Sequence, residues 1–147
     1  MTLPCFIFDI DGTIADGSHR EHLITRHTPK RWDDYFDLAY RDRPVPHMQR
    51  IVRELAKTYT IAYVTGRVER LRDMTVAWLQ EHQFPTGYLY MRGDGDHRND
   101  DILKAEILAE IRRDNLEPVM AFEDRTRIVK MWRENGIPCA QVRDGDF

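Results

Sequence analysis

The chain has 147 residues, of which 41% are hydrophobic and 32% charged, and its formal net charge is −3. That length supports one domain with its own core, without metal or disulfide staples. The charge shows no overall basic character that would point to nucleic acid, although a carboxylate-lined metal site adds negative charge that its metal offsets.

Cys5 and Cys139 lie far apart in apolar stretches, and no CxxC is present. Two buried thiols are expected rather than a thiolate zinc site. No apolar run approaches the roughly 18 residues of a membrane span. The first residues show no charged stretch followed by an apolar run. The expectation is a cytoplasmic protein with no membrane partner.

In chain order, Pro4 to Phe8 (PCFIF) reads as a buried strand that ends at Asp9 and meets the turn pair Asp11-Gly12. From Ile14 to Pro46 the composition shifts to histidine, arginine and aspartate with Trp32, Tyr35, Phe36 and Tyr40. This segment, about residues 14–46, is expected to be a small helical insert within a single domain covering 1–147. Met48, Ile51, Val52 and Leu55 share a helix face behind Pro46, which suits a first turn. Thr60 to Val64 (TIAYV) is a second strand, ending at Thr65-Gly66.

Leu71, Met74 and Trp78 mark the next helix, and Gly87 to Tyr90 a weaker third strand. Leu103, Ile107, Leu108 and Ile111 mark a further helix. Val119 to Phe122 (VMAF) is a fourth strand, ending at Glu123-Asp124. A last helix through Ile128, Val129, Met131 and Trp132 stops near Gly136, and Pro138 to Val142 forms the closing strand. Alternating strands and helices predict an α/β fold. It should be three-layered and Rossmann-like, with a parallel sheet of about five strands.

Open parallel sheets place their sites at the carboxyl edge. Three of the strands end in Asp9, Thr65 and Asp124, so an acid, a hydroxyl and an acid should converge there. Asp9 and Asp11, two residues apart after a buried strand, can share one substrate, and Gly12 permits the tight turn between strand and insert. Asp100 and Lys104, spaced i and i+4, share a helix face and by themselves read as a surface ion pair. His19 and His22 are an HxxH pair without further ligands, which is weak evidence for metal.

Phe8-Asp9-Ile10-Asp11-Gly12-Thr13 resembles the first motif of haloacid dehalogenase (HAD) superfamily phosphatases. Val64-Thr65-Gly66-Arg67 is similar to their second motif, Lys104 to the third and Glu123-Asp124 to the fourth, all in family order. The stretch from Gly95 to Lys104, and that from Ala121 to Phe147, further resemble the 3′-phosphatase domain of phage-type polynucleotide kinase–phosphatases. The likeness is poor across Ile14 to Arg43. The usual Asp-Asp of the fourth motif is Glu-Asp here.

The resemblance implies Asp9 as nucleophile and Asp11 as general acid and base. It implies Thr65 and Lys104 as holders of the phosphoryl oxygens, and Arg67 and Asp100 as substrate contacts. Mg²⁺ would be held by Asp9, the Asp11 carbonyl and Asp124, with Glu123 a further ligand or a support. The implied substrates are phosphorylated nucleic-acid ends, with free nucleotides or other small phosphate esters as the alternative and a non-enzymatic binding module as a minor one. No GxxxxGK[ST] loop occurs in the chain, so no 5′-kinase activity of its own is expected, and a separate kinase or ligase is a candidate partner.

Overall fold

The computed structural model describes residues 1–146; Phe147, where the similar stretch ends, lies outside them. Strands β1 (Leu3–Asp9), β4 (Thr60–Val68), β5 (Tyr88–Arg92), β6 (Leu116–Glu123) and β7 (Cys139–Gln141) form one parallel sheet in the order β5-β4-β1-β6-β7. Two very short strands, β2 (Ala15–Asp16) and β3 (Arg43–Pro44), pair antiparallel outside it. The helices are α1 (His22–Thr25), α2 (Trp32–Asp37), α3 (Pro46–Ala56), α4 (Arg72–Glu81), α5 (Asp100–Arg113) and α6 (Thr126–Glu134).

β1 is central because both of its faces are covered, as a near-continuous apolar run requires. Cys5 and Ile7 point into one core with Leu103, Ile107 and Leu108 of α5 and Val129 and Trp132 of α6. Phe6 and Phe8 point the other way, toward Met48 and Val52 of α3 and Trp78 and Leu79 of α4. The two-residue alternation of a strand thus divides the core into two layers, giving three layers in all. Both cysteines are buried and free.

Register then positions the site. Asp9 pairs with Val64, so Thr65 stands one residue beyond it, and Phe8 opposite Phe122 puts Glu123 at Asp9's level. The strands run longer than the apolar runs suggest: β4 continues through Thr65 and Gly66 to Val68, with a register irregularity against β5 between Val64 and Val68. A break of this kind beside a site re-aims side chains.

The segment between β1 and α3 contains more than helices. β2 and β3 tie its two ends together, while Leu23, Ile24 and Tyr35 form a small apolar cluster of their own. Two-residue strands are too short for an alternation to register in sequence. Among the described residues no helix is long and apolar enough to cross a membrane.

Candidate active site

Asp9 ends β1 almost fully buried. Its Oδ1 accepts from Lys104 Nζ at 2.9 Å and its Oδ2 from Thr13 Oγ1 at 3.0 Å. Burial, and then the Glu123 charge, push its carboxyl up to about 8 against the pull of Lys104. The i, i+4 reading of Lys104 as a surface pair with Asp100 is corrected here. Lys104 lies on the buried face of α5, and its ammonium sits 2.9 Å from both Asp9 and Glu123. Burial would discharge it, but the Asp9 and Glu123 carboxylates outweigh burial and keep it firmly protonated.

Glu123 uses both oxygens within the protein: Oε2 takes the Lys104 ammonium and Oε1 the Asp124 amide at 3.2 Å. Asp124 is buried, and its carboxyl is pushed up to about 7 by burial and the nearby Asp9 charge. Its Oδ2 accepts from Arg143 at 3.0 Å, whereas its Oδ1 is buried with no hydrogen-bond partner. Gly12 explains the packing at this point. Its φ is +83°, and a Cβ there would come within 2.1 Å of Asp124 Oδ2, so only glycine lets the turn pass so close to that carboxylate.

Asp11 faces two guanidiniums. Arg67 Nη2 donates to Oδ1 at 2.8 Å and Arg20 Nη2 donates to the same oxygen at 2.6 Å. Burial would raise its pKa, but Arg67 and Arg20 outweigh that and hold the carboxyl well below the usual range. Arg67 is itself fully buried, and donates to Thr75 Oγ1 at 3.0 Å. Thr65 is equally buried, and its hydroxyl accepts the Arg67 amide at 3.1 Å, so that hydroxyl braces the irregular stretch of β4 that aims Arg67.

Asp100 opens α5 and joins Arg92 to Arg125, whose Nη1 donates to Oδ2 at 3.0 Å. Gly66 allows this contact, since a Cβ there would lie 2.8 Å from Asp100 Oδ1. A pocket of about 30 Å³ collects Asp9, Asp11, Gly66, Asp100, Lys104, Glu123 and Arg125 under a wall of Trp32, Tyr35 and Phe36. Of the strand ends named in the sequence, Asp9 and Asp124 come together, while neither Asp124 nor Thr65 lines this pocket.

Sequence reasoning missed Asp42 outright and gave Arg20 no partner. Arg20 is fully buried in the insert. Asp42 holds it through Nε at 2.9 Å and Nη2 at 2.5 Å, and also accepts from His19 Nε2 at 2.8 Å. Asp42 lies in no motif and on no periodic face, so no sequence signal marked it. His19 serves Asp42, and among the described residues no histidine joins a metal-type cluster.

The donor set fits a hard divalent cation. Asp9, Glu123 and Asp124 each bring a carboxylate oxygen within 4.8 Å of the others, and the orphaned Asp124 Oδ1 is a buried acceptor in need of a partner. No sulfur or imidazole is among them.

A parallel sheet with a buried carboxylate at its central strand end, a buried lysine and an acid pair on the next strand end defines a HAD-type phosphatase. The profile of the polynucleotide kinase PNKP phosphatase domain matches residues 3–147, and the chain belongs to that family. A chain of the Pnkp1/Rnl/Hen1 RNA repair complex is 28% identical with a TM-score of 0.83, covering 99% of this chain and 44% of that one. A haloacid dehalogenase-like hydrolase of Streptococcus pneumoniae shares the fold at 18% identity and a TM-score of 0.62, over 95% of this chain and 84% of that one.

A putative bifunctional polynucleotide kinase/RNA ligase of Autographa californica nuclear polyhedrosis virus is 25% identical over 133 residues, 88% of this chain. Membrane-associated phosphatidylinositol transfer protein 3 of Homo sapiens is 26% identical over 140 residues, 95% of this chain. The chain spans only 13% of the latter's length and 18% of the viral protein's.

Proposed function

We propose that the protein is a magnesium-dependent phosphomonoesterase that removes 3′-phosphates from nucleic-acid ends through an aspartyl-phosphate. The observation that carries the reading is the pairing of two differently prepared carboxylates two residues apart. Asp9 is fixed at both oxygens by Lys104 and Thr13, and Asp11 stands opposite under Arg20 and Arg67.

Asp9 attacks the phosphorus as its bond to the leaving oxygen breaks, and Asp11 delivers a proton to that oxygen. Asp11 then takes the proton of the water that attacks the aspartyl-phosphate, freeing phosphate and restoring Asp9. An Asp11 gripped by two guanidiniums is poor at holding a proton. The incoming phosphoryl group supplies a competing anion for Arg67 and Arg20, and as they turn to it the Asp11 carboxyl regains proton affinity. Lys104 and the Arg67 side chain then hold the phosphoryl oxygens.

Asp9 and Asp124 would hold Mg²⁺, with the Asp11 carbonyl as a third donor and Glu123 steadying Lys104 behind them. When bound, the metal offsets repulsion between Asp9 and the phosphate dianion. The segment 14–46 acts as a cap whose aromatic face bounds the pocket, and a separate kinase or ligase chain would complete end repair.

The membership in the PNKP phosphatase family and the likeness to a chain of an RNA repair complex support the 3′-end assignment. The test compares kcat/KM on 3′- and 5′-phosphorylated versions of one oligonucleotide and on free 3′- and 5′-nucleotides, with magnesium and with chelator. Preference for the 3′-phosphate is expected; a preference for 5′-phosphates or for a non-nucleotide ester overturns the assignment.

A further inference from the structure

The stretch that follows β7 wraps the corner of the chain at Asp124. The Val142 amide donates to the Glu123 carbonyl at 3.0 Å, and Gln141 Nε2 donates to the Asp124 carbonyl at 2.9 Å. The Thr126 amide donates to the Gly145 carbonyl at 2.8 Å, and a Cβ on Gly145 would lie 2.3 Å from the Asp124 carbonyl oxygen.

Arg143 sits in the middle of this wrap. Its Nε and Nη2 donate to Asp124 Oδ2 at 3.2 and 3.0 Å, and Nη2 also donates to Glu21 Oε1 at 2.6 Å. Glu21 stands 122 residues earlier in the chain, at the start of α1. It directly follows Arg20, which grips Asp11. One guanidinium thus ties the cap to a carboxylate of the cation site, and the phosphatase steps above make no use of it.

At Asp124 this guanidinium supplies charge rather than aim. The main chain of Asp124 is held at its amide by Glu123 Oε1 and at its carbonyl by Gln141, while the Gly12 turn packs against Oδ2. A cation at the orphaned Oδ1 and a guanidinium at Oδ2 draw on the same negative charge, so each weakens the hold of the other. Glu21 offers the guanidinium a second carboxylate, in a partly exposed pair that can tighten or loosen at little cost. A cavity of about 210 Å³ bordered by Gly12, Asp16, His47 and Arg143 leaves room for the shift.

Resting on the magnesium reading above, though not on its 3′-end assignment, we propose that Arg143 is a positioning residue that couples the cap to the cation site. As a divalent cation takes Asp124, the guanidinium moves onto Glu21 and fastens the start of α1 to the body of the domain. Linkage makes the effect mutual, so a fastened cap favours the cation.

The experiment titrates Mg²⁺ calorimetrically, without substrate, into wild type, Arg143→Gln, Glu21→Gln and the double variant. Arg143→Gln should bind Mg²⁺ about 10-fold more tightly, the low end of what an outer partner of a metal ligand is worth. Glu21→Gln should bind it about 5-fold more weakly, the low end of coupling between sites, because the guanidinium then rests wholly on Asp124. The double variant should match Arg143→Gln, since Glu21 acts only through Arg143. Arg143→Lys keeps the charge and should stay nearer to wild type than to Arg143→Gln. Hydrogen exchange reads the cap itself. The amides of Ile24, Thr25 and Arg26, which donate back to Glu21 and His22, should exchange more slowly when Mg²⁺ is added to wild type and not when it is added to Arg143→Gln.

Weaker Mg²⁺ binding by Arg143→Gln overturns the coupling. So do a Glu21→Gln effect that survives in the double variant, an Arg143→Lys that binds like Arg143→Gln, and wild-type cap amides indifferent to Mg²⁺. Each of these leaves the magnesium reading standing where wild type binds Mg²⁺ and Asp124→Asn does not. A wild type that binds no Mg²⁺, or an Asp124→Asn that binds it equally well, brings down the magnesium reading and the coupling with it.

Discussion

Lys104→Met tests how the buried charge of the site is held. The Lys104 side chain is 2% exposed, and its ammonium lies 2.9 Å from both the Asp9 and Glu123 carboxylates. Methionine keeps the length of the side chain and removes the charge, leaving the buried acids of this cluster without the cation between them. Removing one partner of a buried ion pair costs about 3–5 kcal/mol. At roughly 2–4 °C per kcal/mol for a domain of this size, the melting temperature of the metal-free protein should fall by about 6–20 °C.

The loss should depend on pH in a definite direction. Asp9's folded pKa is already raised to about 8 by burial and Glu123, against the pull of Lys104. A raised carboxyl contributes stability that is fully present below its unfolded pKa of about 3.9 and is lost as pH rises through the folded value. Without Lys104 the folded pKa rises further, so from about pH 8 upward, where wild-type Asp9 loses its proton, the folded variant still holds one. The deficit should therefore be small near about pH 5.5 and large near about pH 8.5. Thermal unfolding of both proteins in chelator at the two pH values is the assay. A fall of less than about 2 °C at the higher pH, or a larger fall at the lower pH, refutes the idea that Lys104 neutralises this cluster.

Three further outcomes follow. Asp9→Asn and Asp11→Asn should each lower turnover by at least about 10²-fold with the fold retained, and Asp11→Asn should also lower the melting temperature, since the buried Arg20 and Arg67 lose a charged partner; steady-state rates and thermal scans check this. Asp42→Asn should lower kcat by about 10²-fold with little change in KM, because Arg20 loses the carboxylate that aims it; an unchanged kcat would mean that Arg20 needs no brace. Gly12→Ala should lower the melting temperature and abolish activity together, since the new Cβ would meet Asp124 Oδ2 at 2.1 Å in a positive-φ turn.

Much of the site can be read from the chain because its chemistry is tied to local order. Asp9, Asp11 and Asp124 each follow a short apolar strand, and Lys104 lies among Leu103, Ile107 and Leu108 on a helix face that must be buried. Strand ends of a parallel sheet converge, so these positions could be brought together before any distance was known. Thr65 shows where that logic stops. It is at the right strand end, but which atom its hydroxyl meets is set by the irregular end of β4, where it accepts the Arg67 amide.

Asp42, and its pairing with Arg20, were not legible. They stand 22 residues apart in a segment with no sustained period, and they meet only because β2 and β3 tie its two ends together. The placement of other arginines was equally hidden: Arg67 turns inward to Asp11, Arg70 pairs with Asp37, and Arg92 and Arg98 line a cavity of about 320 Å³.

The most direct measurement of the account as a whole is a rapid acid quench of the enzyme during turnover of an oligonucleotide with a radiolabelled 3′-phosphate. Label should appear on the protein in at most one equivalent per chain, should be absent with Asp9→Asn, and should be far weaker when the same oligonucleotide is labelled at its 5′-phosphate. Label that persists in Asp9→Asn, or that comes preferentially from the 5′ end, would contradict the assignment of Asp9 as nucleophile or of the 3′ end as substrate.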